Sequence, residues 1–96
     1  MMKNVTPILY VTSTCPLCRQ VEKLLKKWGV KFEERNLDDP AVYAEAVTSG
    51  LTIMSAPILH IGGRTVYKAG LFHHEDLEGN LKQILRETVG IEVSVV

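Results

Sequence analysis

Two cysteines, the only ones in the chain, stand two residues apart in Cys15-Pro16-Leu17-Cys18, where an apolar strand hands over to a helix. This junction limits the fold more than any other stretch. Before it, Ile8-Leu9-Tyr10-Val11 is a short apolar run bounded by Pro7 and by Thr12-Ser13-Thr14. After it, Leu17, Val21, Leu24, Leu25 and Trp28 recur at three- and four-residue steps, the stripe of an amphipathic helix. Pro16 suits the first helical position, since its absent N–H would have had no intrahelical partner there. Cys15 then falls at or just before the helix start, beside unpaired N–H groups and the positive end of the dipole. That environment favours a thiolate over a thiol. The thiolate is the nucleophile of disulfide exchange, and a second thiol one helical turn away can close the bond behind it.

The rest of the chain narrows the setting. A length of 96 residues implies one domain, 1–96, with a modest core. Eleven basic and eleven acidic residues cancel, so no basic face is offered to nucleic acid or anionic membrane, and neither is expected as a partner. Met1-Met2-Lys3-Asn4 carries a charge but no apolar stretch of useful length, so no secretion signal is expected. No apolar run approaches the roughly 20 residues that span a bilayer. Two cysteines this close do not make a structural disulfide framework. Without an export signal they read as redox-active or metal-binding, and the expected compartment is the cytoplasm.

Along the chain, Gly29 stands where a helix ends, with Lys26 and Lys27 in the last turn. Residues 30–37 alternate as a half-exposed strand. Asp39 is a helix N-cap with Pro40 at the first helical position, and the short helix over 41–48 stops at Ser49-Gly50. Ile58-Leu59-His60-Ile61 and Arg64-Thr65-Val66-Tyr67 flank Gly62-Gly63, a strong hairpin signal. Gly70 breaks the pattern, and a last helix is expected from 73 or 74 to 88, with Leu77, Leu81, Ile84 and Leu85 inward and Gly90 as its stop. Gly79 inside it costs about 1 kcal/mol relative to Ala. The tail 91–96 alternates weakly and reads as a small edge strand or a frayed end. Strand, helix, strand, helix, hairpin, helix gives a parallel pair joined through a helix plus an antiparallel hairpin. The fold class is α/β, a mixed four-stranded sheet packed between about three helices.

In this order of elements the chain resembles a glutaredoxin, or a glutaredoxin-like redoxin of the thioredoxin superfamily. The resemblance covers about 6–87, leaving 88–96 as a tail. It rests on Cys15-Pro16-Leu17-Cys18 after the first strand and on Ser55-Ala56-Pro57 opening the third. Gly62-Gly63 and the segment from Gly70 to the last helix add to it. It implies a thioredoxin-like fold and disulfide reduction, with Cys15 as nucleophile, Cys18 as resolving thiol and a cis peptide before Pro57. Candidate substrate-binding positions are Thr14, Pro16 and Leu17 around the pair, and Ala56 and Pro57 beside it. Disulfide-bearing proteins are the implied partners of a chain expected to be a monomer. No tightly bound cofactor is expected; glutathione is the candidate co-substrate. Two departures bear on the electron donor. Many glutaredoxins carry Lys or Arg shortly before the first cysteine, whereas Tyr10-Val11-Thr12-Ser13-Thr14 has no charge. The later segment that grips glutathione is replaced by Ala69-Gly70-Leu71-Phe72-His73-His74-Glu75-Asp76, closer to redoxins reduced by thioredoxin reductase, some of which serve ribonucleotide reductase. Both donors stay open.

Other polar residues have plain readings. His60 in an apolar run is a core or edge histidine. His73 and His74, as helix-start residues, would point about 100° apart. Arg19, Lys23, Lys26 and Lys27 line the outer side of the first helix. Trp28 and Tyr10 are packing residues. The reading from another class is a metal or iron–sulfur module using the same cysteines. A structural zinc site wants four protein ligands, and neither a second C-x-x-C nor an H-x₃₋₅-H exists, so no metal site is expected.

Overall fold

The apolar run before the cysteines forms strand β1 (Ile8–Val11), an inner strand of the sheet. The computed structural model describes residues 6–51, 56–61 and 63–89. From β1 the chain passes through α1 (Pro16–Lys27), β2 (Glu33–Asn36), α2 (Pro40–Thr48), β3 (Ile58–Ile61), β4 (Arg64–Val66), α3 (Lys68–Leu71) and α4 (Leu77–Val89). The strand order is β2-β1-β3-β4. β1 and β2 are parallel, with Ile8 opposite Glu33 and Val11 opposite Asn36. β1 pairs antiparallel with β3, Leu9 opposite Leu59, and β3 with β4, Leu59 opposite Val66. This is the mixed α/β sheet of the thioredoxin-like fold.

Alternation along β1 divides the core between two faces. Leu9 and Val11 point to one side, where Val21 and Leu25 of α1 and Leu81 and Leu85 of α4 are fully buried against them. Tyr10 points to the other, with Leu37, Ala46, Leu51 and Ile58. The four residues expected inward on the last helix are all buried. Trp28 lies half-buried against the first cluster, the Lys82 ammonium 5.7 Å from its ring.

Helix α1 begins at Pro16 with Cys15 as N-cap. It ends at Trp28 and Gly29, the latter at φ +69°, a left-handed turn that glycine adopts without a Cβ penalty. Asp39 caps α2, its Oδ1 accepting the Ala41 N–H at 3.0 Å. Strand β2 is shorter than 30–37. It pairs only as far as the four residues of β1 allow, and Val30 belongs to the end of α1, its N–H donating to the Leu25 carbonyl at 2.9 Å. Among the described residues β2 and β4 are the sheet edges. Glu33 and Glu34 are exposed on β2, and Arg35 pairs with Glu33 at 3.1 Å and with Glu45 of α2. On the three-residue β4, Arg64 pairs with Glu87 of α4 at 2.8 Å.

The expected helix from 73 or 74 to 88 is a correction. Gly70, read as a break, lies inside the short α3, where a Cβ would come within 3.1 Å of a Val66 methyl. A 3₁₀ turn over His73–Glu75 follows, with His74 and Glu75 in the left-handed region at φ +56° and +55°. α4 then starts after Asp76, whose Oδ1 accepts the Gly79 N–H at 3.1 Å and whose carbonyl accepts the Asn80 N–H at 2.9 Å. Asp satisfies a helix start better than His does, so the helix begins there. Asn80 locks the entry by donating to the carbonyls of Leu71 and His73, both at 2.9 Å. The helices therefore number four among the described residues rather than three. No helix among them is long and apolar enough to cross a membrane. Gly62 of the hairpin, Ser55, the stop at Gly90 and the tail 91–96 lie outside the described residues.

Candidate functional site

After Val11 the chain turns through Thr12-Ser13-Thr14 to reach Cys15. The segment following β2 holds this turn. Ser13 N–H donates to Asp38 Oδ2 at 2.8 Å, and Asn36 Nδ2 donates to Ser13 Oγ at 3.3 Å. Asp38 N–H in turn donates to Asn36 Oδ1 at 2.8 Å, and Leu37 N–H reaches the Val11 carbonyl at 2.7 Å. The Ser13 side chain and backbone hold the Asp38 carboxyl below its ordinary range. Sequence reasoning missed Asn36 and Asp38. The signal was there: two polar residues bracketing the buried Leu37, just past a strand parallel to β1.

Cys15 and Cys18 form a disulfide, with their Cα atoms 5.2 Å apart. The two sulfurs have different surroundings. Cys15, at the N-cap, is half-buried; its Sγ accepts the Cys18 N–H at 3.0 Å and its carbonyl accepts the Arg19 N–H at 3.3 Å. Cys18 is 1% exposed and lies in the core with Val21 and Leu25. An open depression of about 390 Å³ exposes Cys15 between Ser13, Thr14, Pro16 and Arg19. Thr14 and Pro16 thus share a surface with Cys15, while Leu17 is half-buried on α1. Ala56 borders the same apolar cluster as Cys15. The Ala56–Pro57 bond is cis and Pro57 is buried at the start of β3. Such a site offers one reachable sulfur backed by a second that solvent does not reach.

The remaining polar residues find other uses. His60 Nδ1 lies 2.9 Å from Thr65 Oγ1 in a cross-strand pair. His73 and His74 do not diverge as on a helix. The left-handed His74 brings their rings into tilted contact, centroids 4.0 Å apart. Arg19, Lys23, Lys26 and Lys27 are exposed, whereas Tyr10 is buried. Glu22 of α1 meets Glu34 of β2. The hydrogen bond between these carboxyls, then partial burial and mutual repulsion, raise the Glu22 pKa. Among the described residues no group of three or more His, Cys, Asp or Glu side chains converges as a metal site.

The comparisons with known proteins agree with this geometry. A glutaredoxin family model matches residues 8–66. The fold is similar to wheat glutaredoxin, at TM-score 0.60 and 27% identity, covering 88% of this chain and 83% of that one. It is also similar to glutaredoxin 1 from Francisella tularensis, solved in complex with cacodylate. There the TM-score is 0.59 and the identity 18%, over 85% of this chain and 98% of that one. No curated protein matches the sequence significantly.

Proposed function

The chain belongs to the glutaredoxin family, and on that premise we propose that this thiol–disulfide oxidoreductase reduces protein disulfides and glutathione mixed disulfides, with Cys15 as nucleophile and Cys18 as resolving thiol. The observation that carries the assignment is the asymmetry of the pair: Cys15 opens onto a surface depression, whereas Cys18 is 1% exposed. The Cys18 N–H that reaches the Cys15 sulfur in the disulfide is placed to donate to a thiolate there once the pair is reduced. That thiolate attacks one sulfur of a substrate disulfide, which releases the other as a thiolate and leaves Cys15 joined to the substrate. Cys18, deprotonated as it attacks, displaces the substrate from Cys15 and closes the Cys15–Cys18 disulfide. The balance is two electrons and two protons passed to the substrate. A dithiol donor, or two thiols in succession, restores the starting state.

Thr14, Pro16 and Leu17 on the cysteine side and Ala56 and Pro57 beside it are the residues we assign to substrate contact. Ala56 at the lip of the shared core supports a short backbone pairing with a bound cysteine. Glutathione is the proposed co-substrate, and the cytoplasm the proposed compartment.

A second reading keeps the chemistry and changes the donor to a thioredoxin-reductase-like flavoprotein, in service of a dedicated partner such as ribonucleotide reductase. It is favoured by the uncharged approach 10–14 and by the α3 and 3₁₀ path over 68–75. One assay separates the two. NADPH consumption is followed when the oxidised protein meets glutathione and glutathione reductase. Turnover that vanishes in Cys15→Ser supports the first reading. No turnover with glutathione, but turnover with thioredoxin reductase, supports the second. A Cys15→Ser protein that still reduces disulfides overturns both.

A further inference from the structure

Beyond the reaction itself, the surroundings of Cys15 carry a preference for one kind of substrate. Cys15 and Arg19 are four residues apart at the start of α1, so they share a face of the helix, and the Arg19 N–H is held to the Cys15 carbonyl at 3.3 Å. Arg19 is exposed and lines the depression that opens onto Cys15; of the five lining residues it alone is charged. Among the described residues its guanidinium forms no ion pair. The nearest acid on α1, Glu22, is engaged with Glu34 of β2, and the attraction of Arg19 is the smallest influence on it. Asp38 does not line the depression and is occupied by Ser13, which does. The Cys15 surface therefore carries one exposed cation, on its helix side.

We propose that Arg19 is a specificity-determining residue that selects disulfides flanked by a carboxylate side chain. The guanidinium presents a planar fork of N–H donors that matches a carboxylate with two parallel hydrogen bonds, one helical turn from the attacked bond. A substrate acid lies toward α1, which also orients the substrate chain across Cys15. The inference rests on the oxidoreductase reading above.

Three short peptides that differ only in having Glu, Gln or Lys beside their single cysteine test it, each joined to a neutral 2-thiopyridyl group. Attack of Cys15 on the peptide sulfur releases pyridine-2-thione, which absorbs; Cys18 then frees the peptide thiol and closes the protein disulfide. Single-turnover rates with the pre-reduced protein need no electron donor. The expected order is Glu over Gln over Lys, with a Glu-to-Lys ratio of about 2- to 5-fold, as for an exposed ion pair. The ratio falls toward one as salt shortens the Debye length below ~10 Å. Arg19→Glu inverts the order, and Arg19→Lys keeps it in weakened form. Lys27→Glu, in the last turn of α1, leaves the ratio as in the wild type. An order unmoved by Arg19→Glu, or moved equally by Lys27→Glu, overturns the inference alone. If no peptide reacts faster with the wild type than with Cys15→Ser, the oxidoreductase reading falls and the inference with it.

Discussion

Replacing Gly79 by Ala ordinarily stabilises a helix by about 0.5–1 kcal/mol, because glycine loses the most backbone entropy on folding. In this protein that gain is expected to vanish. A Cβ on Gly79 would lie 2.8 Å from the Asp76 carboxyl carbon and 3.0 Å from Oδ1, the oxygen that accepts the Gly79 N–H. Carbon atoms do not approach so closely, so the carboxylate must swing away and the cap is lost. An N-cap side chain of this kind is worth about 1 kcal/mol. The two terms cancel, and Gly79→Ala in the wild type should change stability by less than about 0.5 kcal/mol, or lower it slightly. Asp76→Ala alone should cost about 1 kcal/mol, or a fall in Tm of roughly 4–8 °C for a domain of this size. Once Asp76 is gone the obstacle is gone, and adding Gly79→Ala should then recover about 0.5–1 kcal/mol. The pair thus couples by about 1 kcal/mol in a double-mutant cycle. Guanidinium unfolding of the four oxidised proteins, followed by far-UV circular dichroism, measures it. Equal stabilisation by Gly79→Ala in both backgrounds would refute the steric reasoning.

Three further outcomes are expected. Cys18→Ser should accumulate a mixed disulfide between Cys15 and substrate, visible by mass spectrometry and released by dithiothreitol, because no second thiol remains to displace the substrate. Glu22→Gln should raise the Tm slightly at neutral pH and leave it unchanged in acid. The folded pKa of Glu22 is raised, first by its hydrogen bond to Glu34, so its favourable contribution is present below the unfolded pKa and lost as pH rises through the folded one; an equal effect at both pH values would count against the pairing. Asp38 has the opposite sign. Its carboxyl, lowered by Ser13, should titrate below the ordinary aspartate value, and what it contributes is present above the unfolded pKa and lost as pH falls through the folded one. Asp38→Ala should speed amide hydrogen exchange at Ser13, as NMR would show.

What could be read in the sequence was whatever neighbouring residues decide among themselves. Pro16 and Pro40 open their helices and Gly29 closes one, because those preferences reside in a single dihedral or a missing donor. The division of the core by Leu9, Tyr10 and Val11 was not legible, because an unbroken apolar run marks a strand without separating its two faces. The start of the last helix was harder. His73 and Asp76 both stand before an apolar stripe, and the choice between them depends on Asn80 reaching back to two carbonyls across the turn. At the site, Cys15-Pro16-Leu17-Cys18 announced itself through spacing. Asn36 and Asp38 did not, because their link to Ser13 crosses 23 and 25 residues and exists only once β1 and β2 lie side by side.

The two edge strands set how long this protein keeps company with another. On the proposed mechanism, a client tethered through Cys15 dwells against the surface for the lifetime of a covalent bond, time enough for an open β-edge to recruit an extended segment. Neither margin invites it. Glu33, Glu34 and Arg35 crowd one with charge that an incoming backbone would have to strip of water, and the other is three residues long with Arg64 already committed to Glu87. Attachment is thereby left to the sulfur and the few contacts around it, and the second thiol can end it.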